Sequence, residues 1–170
     1  KYNHEHLFLR LSTMLLGDGT YINRAYPVQV TLSIDEETGV RDYISDIKRI
    51  AAGERFVLSL RNDGLLYAWG DNTSGQLGVE INNEITEDGT AIEDSRSLPV
   101  EVDLTDGVDF TEITDIAAGK NHTVIVLNND TVYTWGDNTY GQLGTGENGS
   151  YIPNQVKGFN GGGYLTDIIS

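Results

Sequence analysis

The chain has 170 residues and a formal net charge of -15, from 26 acidic and 11 basic residues. This acidity disfavours non-specific binding to nucleic acid or to anionic membrane, because both require a basic surface. The absence of cysteine excludes a disulfide framework and a thiolate metal site. The length suits one ordinary domain, and 20 glycines against 3 prolines suit tight turns between short strands.

Residues 1–14 form a divergent N-terminal segment, in which the run from Leu7 to Leu16 fits either a short amphipathic helix or a frayed strand. Polar residues interrupt this run, so it is not a convincing signal peptide. No apolar run approaches the roughly 20 residues that span a bilayer, and we expect a soluble chain. His4 and His6 lie at strand spacing without a third ligand nearby, which favours a surface terminus over a metal site.

Residues 15–45 are predicted to hold the C-terminal half of a repeat, followed by an acidic linker. A Pro-X-X-Val pattern at Pro27–Val30 recurs at Pro99–Val102 and Pro153–Val156. The stretch Ile34–Gly39 contains carboxylates without the spacing of a calcium loop, and we interpret it as a solvated loop.

Two full repeats follow, predicted at residues 46–111 and 112–164. The second contains Trp135–Gly144, which matches Trp69–Gly78 in nine of ten positions. In each copy an alternation of period 2 surrounds Asn- and Asp-rich turn residues, which predicts a hairpin, and two more short strands flank it. Residues 165–170 echo the start of these copies and are predicted to begin a further repeat.

Four short strands in a unit of about 50 residues are typical of a propeller blade. The predicted fold is therefore all-β: a partial β-propeller of antiparallel four-stranded blades, with about two full repeats and two partial ones. Such an open array would expose strand edges and apolar faces. We therefore expect either a piece of a longer chain or self-association, and a stable monomer would contradict this expectation.

The first full copy is longer than the second because of an acidic insert at residues 79–97. Six carboxylates could not be buried there without partners, so we expect an exposed loop. The insert is the most individual feature of the chain and the best candidate contact for a protein partner, for example a basic one. A tolerated surface insertion is the alternative. The candidate partner-binding residues are Glu84, Glu87, Asp88, Glu93 and Asp94.

The ten-residue motif shared by the two copies is interpreted as structural. The tryptophan suits the space between blades, the glycines suit positive-φ corners, and the Asp, Asn and Gln side chains can hold the turn. The motif residues are Trp69, Gly70, Asp71, Asn72, Gly75, Gln76, Leu77, Gly78, Trp135, Gly136, Asp137, Asn138, Gly141, Gln142, Leu143 and Gly144.

The order Ala118-Gly119-X-X-His122, then Trp135–Gly144, then Pro153-X-X-Val156 resembles the repeat of the regulator-of-chromosome-condensation family. The resemblance covers most of residues 15–170. It looks more like the generic or bacterial members than the nuclear ones, and like a fragment. It implies four-stranded blades around a central axis, usually seven in a ring.

Two functions follow. The first is a non-enzymatic interaction scaffold, in which a rigid platform presents variable loops to a protein partner of unknown identity. The alternative, implied only by the family's founding branch, is a guanine-nucleotide exchange factor for a small GTPase. Further propeller repeats or self-association are expected to cover the exposed faces, and the compartment is not indicated.

No catalytic, cofactor-binding or metal-binding residue is predicted. The chain contains no Gly-X-Ser-X-Gly elbow and no phosphate-binding glycine loop. The Asp-Asn pairs of the motif lack calcium-loop spacing, which favours turn building. His122 stands where the first copy has Phe56, and this exchange favours packing over catalysis.

Overall fold

A computed structural model of the chain describes residues 14–82, 94–104 and 113–165. Strands dominate this part of the chain, and two short 3₁₀ helices, Met14–Leu16 and Phe159–Gly161, are its helical elements. No helix among these residues is long and apolar enough to cross a membrane.

Two four-stranded antiparallel sheets form the body of the molecule. Blade 1 contains β3 (Ile47–Ala52), β4 (Phe56–Arg61), β5 (Leu66–Asp71) and β6 (Ser95–Glu101), paired in that order. Blade 2 repeats the arrangement with β7 (Ile113–Ala118), β8 (His122–Leu127), β9 (Val132–Gly136) and β10 (Ser150–Gln155). The prediction of four-stranded antiparallel blades is confirmed.

The pairing within the blades follows from the turn residues. In blade 1, β4 pairs with β5 from Phe56 opposite Gly70 to Leu60 opposite Leu66. Gly64 closes this hairpin with a φ of 89°, a conformation that a Cβ would oppose. In blade 2 the equivalent turn places the non-glycine residue Asp130 at a φ of 61°. Aspartate tolerates this left-handed conformation better than most residues.

The core lies between the blades. Phe56, Leu58 and Leu60 of β4 are completely buried, and they share one apolar cluster with Ile113 and Ile116 of β7. β3 also packs against β7, so the first strands of the two blades are neighbours. The two blades therefore stack face to face, with the alternating apolar residues of β4 directed at the next blade.

The predicted linker within residues 15–45 contains an element that the sequence did not indicate. β1 (Thr31–Ile34) and β2 (Arg41–Tyr43) pair as a two-stranded antiparallel hairpin. Its turn spans the predicted solvated loop, where the exposed Asp35 accepts hydrogen bonds from the amides of Glu37 and Thr38. The hairpin packs against β6, beside blade 1.

The end of the predicted insert also differs from expectation. Ser95–Ser97 belong to β6 and pair with β5 through Ser95 opposite Asp71. The exposed-loop prediction for residues 79–97 is therefore wrong at its C-terminal end, because those residues complete the blade. Residues 83–93, 105–112, 1–13 and 166–170 lie outside the described part of the chain.

Candidate interaction site

The shared motif forms the same hydrogen-bonded turn in both blades. The Asp71 carboxylate accepts a bond of 3.0 Å from the Thr73 amide, and the Asn72 side-chain oxygen accepts one of 3.1 Å from the Leu77 amide. The Gln76 side-chain oxygen accepts a bond of 2.9 Å from the Ser74 amide. Blade 2 repeats all three bonds, and these side chains are consequently committed to holding the turn.

The motif tryptophan joins the blades. The Trp135 indole of blade 2 is completely buried and donates a bond of 3.1 Å to the Gln76 carbonyl of blade 1. The Thr123 hydroxyl donates a second bond, of 2.8 Å, to the same carbonyl. A buried carbonyl would be costly without partners, so these donors stabilise the joint between the blades.

Glycine is required where the motif approaches other backbone. Gly70 and Gly136 both have a φ of 106°, and a Cβ on them would lie 2.4 Å from the Arg55 carbonyl oxygen and 2.5 Å from the Asn121 carbonyl oxygen. No side chain fits at that distance from a carbonyl oxygen. These two residues therefore let each blade's turn cross its own β3/β4 or β7/β8 connection.

Asp94 closes the neck of the acidic insert. Its carboxylate accepts bonds of 2.7 Å from the Asn72 side-chain amide and 2.9 Å from the Asn82 backbone amide, and it pairs with Arg96. The Asn72 side chain also donates 3.2 Å to the Val79 carbonyl. The two ends of residues 83–93 are thereby tied to the blade 1 motif.

This geometry corrects the assignment of Asp94 as a partner contact. Asp94 is only 4% exposed, and the buried carboxylate is fully engaged inside the chain. A group so placed cannot meet a partner without losing its own bonds. Glu84, Glu87, Asp88 and Glu93, the other predicted contacts, lie outside the described residues and stay predictions.

The remaining candidates from the sequence are structural in their surroundings. His122 is half-buried, with its ring against Gly119, as the ring of Phe56 lies against Gly53. Among the described residues, no three His, Asp or Glu side chains converge as metal ligands. An open cleft lined by Ser74, Asp137 and Asn148 has the Asp137 side chain as its single carboxylate. His4 and His6 lie outside the described residues.

Hydrogen bonding also sets the acidity of two motif-related carboxyls. The hydroxyl and amide of Thr139 donate to Asp137 and lower its pKa, with smaller help from Gln142 and His122. Burial raises the pKa of Asp18, but hydrogen bonds from Thr20 and Arg24 lower it by more, so the pKa of this carboxyl lies below its ordinary value. Both carboxylates therefore favour the ionised form that their turns require.

In the described part of the chain, every lysine and arginine has an acidic group or a backbone carbonyl of the same molecule as a partner. Arg41 bonds the Asp18 carbonyl and Lys48 the Ile113 carbonyl. The ion pairs are Arg24–Asp18, Arg49–Asp115, Arg55–Asp71, Arg61–Asp63, Arg96–Asp94, Lys120–Glu54 and Lys157–Glu147. The described surface consequently presents an excess of carboxylates and no cluster of unpaired cations.

Two models of the Regulator of chromosome condensation (RCC1) repeat match the chain. One matches residues 47–76 and 113–142, and the other residues 63–126 and 129–170, which is more than half of the sequence. The chain belongs to this repeat family. The match at 63–126 starts in the blade 1 hairpin and ends in β8, so the family's sequence repeat is offset from the structural blade.

Several curated proteins are similar to the chain. The Ultraviolet-B receptor UVR8 of Arabidopsis thaliana is 35% identical over 103 residues, 61% of this chain and 20% of the receptor. Protein pim1 of Schizosaccharomyces pombe is 32% identical over 62% of the chain and 18% of its own length. The probable E3 ubiquitin-protein ligase HERC4 of Mus musculus is 33% identical over 67% and 10%. The chain thus spans a small part of each relative.

Two solved structures share the fold of the chain. Prp20p from Saccharomyces cerevisiae, described with its binding to Gsp1p and histones, is 27% identical with a TM-score of 0.57, over 76% of this chain and 32% of Prp20p. Human WBSCR16 is 19% identical with a TM-score of 0.53, over 78% and 33%, a likeness that concerns the fold alone. The predicted partial β-propeller is confirmed by these structures and by the two blades.

Proposed function

We propose that this chain is a non-enzymatic protein-interaction scaffold, in which residues 83–93, the central part of the acidic insert, contact a basic segment of a partner protein. The observation that supports it most directly is the Asp94 neck. A loop with both ends bonded to one motif loses less conformational freedom on binding than an untethered loop. The insert is therefore presented from a rigid base.

The charge of the chain supports a basic partner. Residues 83–93 of the insert contain Glu84, Glu87, Asp88 and Glu93 and no basic residue. Acidic residues outnumber basic ones by 26 to 11 over the whole sequence, so these four carboxylates add to a general excess of negative charge. Complementary charge of this kind speeds encounter and selects partners, and its effect decreases with salt. The same excess of carboxylates argues against a nucleic acid or anionic membrane partner.

The comparisons add a class of probe. Histones are basic proteins, and the description of Prp20p names histones among the molecules whose binding was characterised. Identity to Prp20p is only 27%, so histones serve here as a test ligand for a basic partner. An exchange-factor activity is the rival function, and it rests on family membership alone.

The test compares two sets of four substitutions with the same change in charge. The insert set is Glu84→Gln, Glu87→Gln, Asp88→Asn and Glu93→Gln. The control set replaces Glu36, Glu37, Glu54 and Glu147, which are exposed outside the insert, with Gln. Binding of labelled core histones is measured by anisotropy at low salt. We expect the insert set to weaken binding about tenfold or more and the control set by less than about threefold.

Equal weakening by the two sets would show that general charge, and not the insert, governs binding. No binding by the parent chain would reject the basic-partner proposal. Nucleotide release from a panel of small GTPases, measured in parallel, separates the rival: acceleration by the chain would favour an exchange factor.

A further inference from the structure

Two Asn-Gly pairs occur in the sequence, at Asn148–Gly149 and Asn160–Gly161. In such a pair the glycine amide nitrogen can attack the carbonyl carbon of the asparagine side chain, because glycine has no Cβ to hinder the approach. The nitrogen must give up its proton in this attack, so a backbone hydrogen bond from that N–H slows the reaction. The surroundings of the two glycine amides therefore decide which pair reacts.

The two glycine amides differ in their hydrogen bonds. The Gly161 amide belongs to the 3₁₀ helix Phe159–Gly161 and donates a bond of 3.0 Å to the Gly158 carbonyl. The Gly149 amide donates to no oxygen in the part of the chain that the structure describes. Asn148 is exposed, and its side chain makes no hydrogen bond to the described residues. The attacking nitrogen is consequently free in the folded chain at Asn148–Gly149 and bonded at Asn160–Gly161.

Packing requires the glycine of this pair. A Cβ on Gly149 would lie 2.7 Å from the Gly136 carbonyl oxygen in the blade 2 motif, so only glycine fits there. On the N-terminal side of the pair, the Glu147 carbonyl accepts a hydrogen bond from the Asn138 side chain. On its C-terminal side, Ser150 begins β10 and pairs with Gly136. The fold therefore holds the reactive pair between two anchored residues.

We propose that Asn148 deamidates in the folded chain without an enzyme, and that its isoaspartate product loosens the joint between the blades. The Gly149 nitrogen loses its proton and bonds to the Asn148 Cγ, and the side-chain amide leaves as ammonia, which gives a cyclic imide. Water then opens the ring at either carbonyl, to aspartate or to isoaspartate. Each conversion consumes one water, releases one ammonia and changes no oxidation state. This inference does not depend on the proposed basic partner.

Isoaspartate changes the main chain as well as the charge. In this product the main chain runs through the former side-chain carbonyl, which adds a methylene group to the backbone just before β10. In β10, Tyr151 lies against Gly75 of blade 1, where an added Cβ would be 2.9 Å from the Tyr151 Cα. A longer main chain before this contact displaces β10 from blade 1. Aspartate adds only an exposed carboxylate and leaves the main chain unchanged.

The test follows both pairs in the 170-residue chain during incubation at mildly alkaline pH in ¹⁸O-labelled water. Cleavage after Lys157 places Asn148 and Asn160 in different peptides, and mass spectrometry measures the deamidated fraction of each. We expect Asn148 to react at least about fivefold faster than Asn160, the factor that corresponds to one hydrogen bond on the Gly161 amide. In urea the two pairs should react at similar rates, because the fold no longer distinguishes their amides.

Asn148→Gln is the matched control, because glutamine keeps the amide and forms the corresponding imide far more slowly. It should remove most of the ammonia release and leave Tm within about 2 °C, since the side chain is exposed. The isoaspartate form, separated by chromatography, should melt at least about 4 °C below the parent, and Asn148→Asp within about 2 °C of it. Equal rates for the two pairs in the folded chain, or undiminished ammonia release by Asn148→Gln, would overturn the proposal. So would a parent-like Tm of the isoaspartate form, or an equal loss of Tm in Asn148→Asp.

Discussion

The joint between the blades predicts different outcomes for one substitution made at two equivalent glycines. Gly75 and Gly141 occupy the same motif position with the same φ of 77°. At Gly75 a new Cβ would lie 2.8 Å from the Tyr151 Cβ and 2.9 Å from its Cα, in blade 2. At Gly141 it would meet nothing within 4 Å. Gly→Ala therefore adds the same backbone strain at both sites and a steric conflict at one.

The magnitudes follow from these contacts. A left-handed alanine costs about 1–2 kcal/mol at either position. Overpacking against backbone atoms adds about 1–3 kcal/mol, and it applies to Gly75→Ala alone. Because the Tyr151 Cα belongs to the backbone, the blades would have to move apart to relieve the conflict. We expect the two variants to differ by at least about 1 kcal/mol in free energy of unfolding.

Urea unfolding followed by far-ultraviolet circular dichroism measures this difference, provided that the m values of the two variants agree. In a chain of this length, about 1 kcal/mol corresponds to a Tm difference of roughly 2–4 °C. Gly141→Ala is the matched control for backbone strain. Equal destabilisation by the two substitutions would refute the close approach of the blade 1 turn to β10.

Three further predictions concern the neck, the turn and the joint. Asp94→Asn should lower the free energy of unfolding by about 1–3 kcal/mol, while Glu80→Gln, exposed nearby, should change it by less than about 0.5 kcal/mol in the same urea assay. The lowered pKa of Asp137 stabilises the fold above the unfolded carboxyl pKa, near 3.9, and this stability is lost as pH falls through the lower folded value. Asp137→Asn should therefore destabilise the chain at pH 7 and progressively less below pH 4; a constant difference would contradict the assignment. Thr123→Val removes one donor to the Gln76 carbonyl and should cost about 1 kcal/mol by thermal melting, and an unchanged Tm would argue against that bond.

The fold could be predicted because the repeat occurs twice in the sequence, so that two copies indicate each strand and turn. Period-2 alternation located β4 and β8, and a pair such as Trp69 and Trp135 fixed the register between copies. The contacts between the two blades were harder to predict from the sequence. Filling of the space between blades by tryptophan could be expected from its size, but its bond to the Gln76 carbonyl depends on blade geometry, which no local pattern contains.

The misjudged parts are those where the copies differ. Asp94 lies in a strongly acidic stretch, which predicted an exposed side chain. It is buried because Asn72 and Arg96 bond its carboxylate. Asn72 is distant in the sequence, and the spacing of Arg96 from Asp94 gives no signal of its own. The β1–β2 hairpin had no second copy for comparison, and its strands are only four and three residues long. Comparison of the two repeats gives no information about an element that is present in only one copy.

The indole bonds of Trp69 and Trp135 point in one direction, each from a blade to the turn that precedes it in the chain. The interface is therefore heterologous: the surface that donates the indole differs from the surface that accepts it. Such an interface cannot relate two molecules by a two-fold axis, and its repetition generates either a closed ring or an open helical filament. Ring closure in this fold is thus set by the rotation from blade to blade, and a different rotation repeated at every joint would give an open helical array instead of a ring.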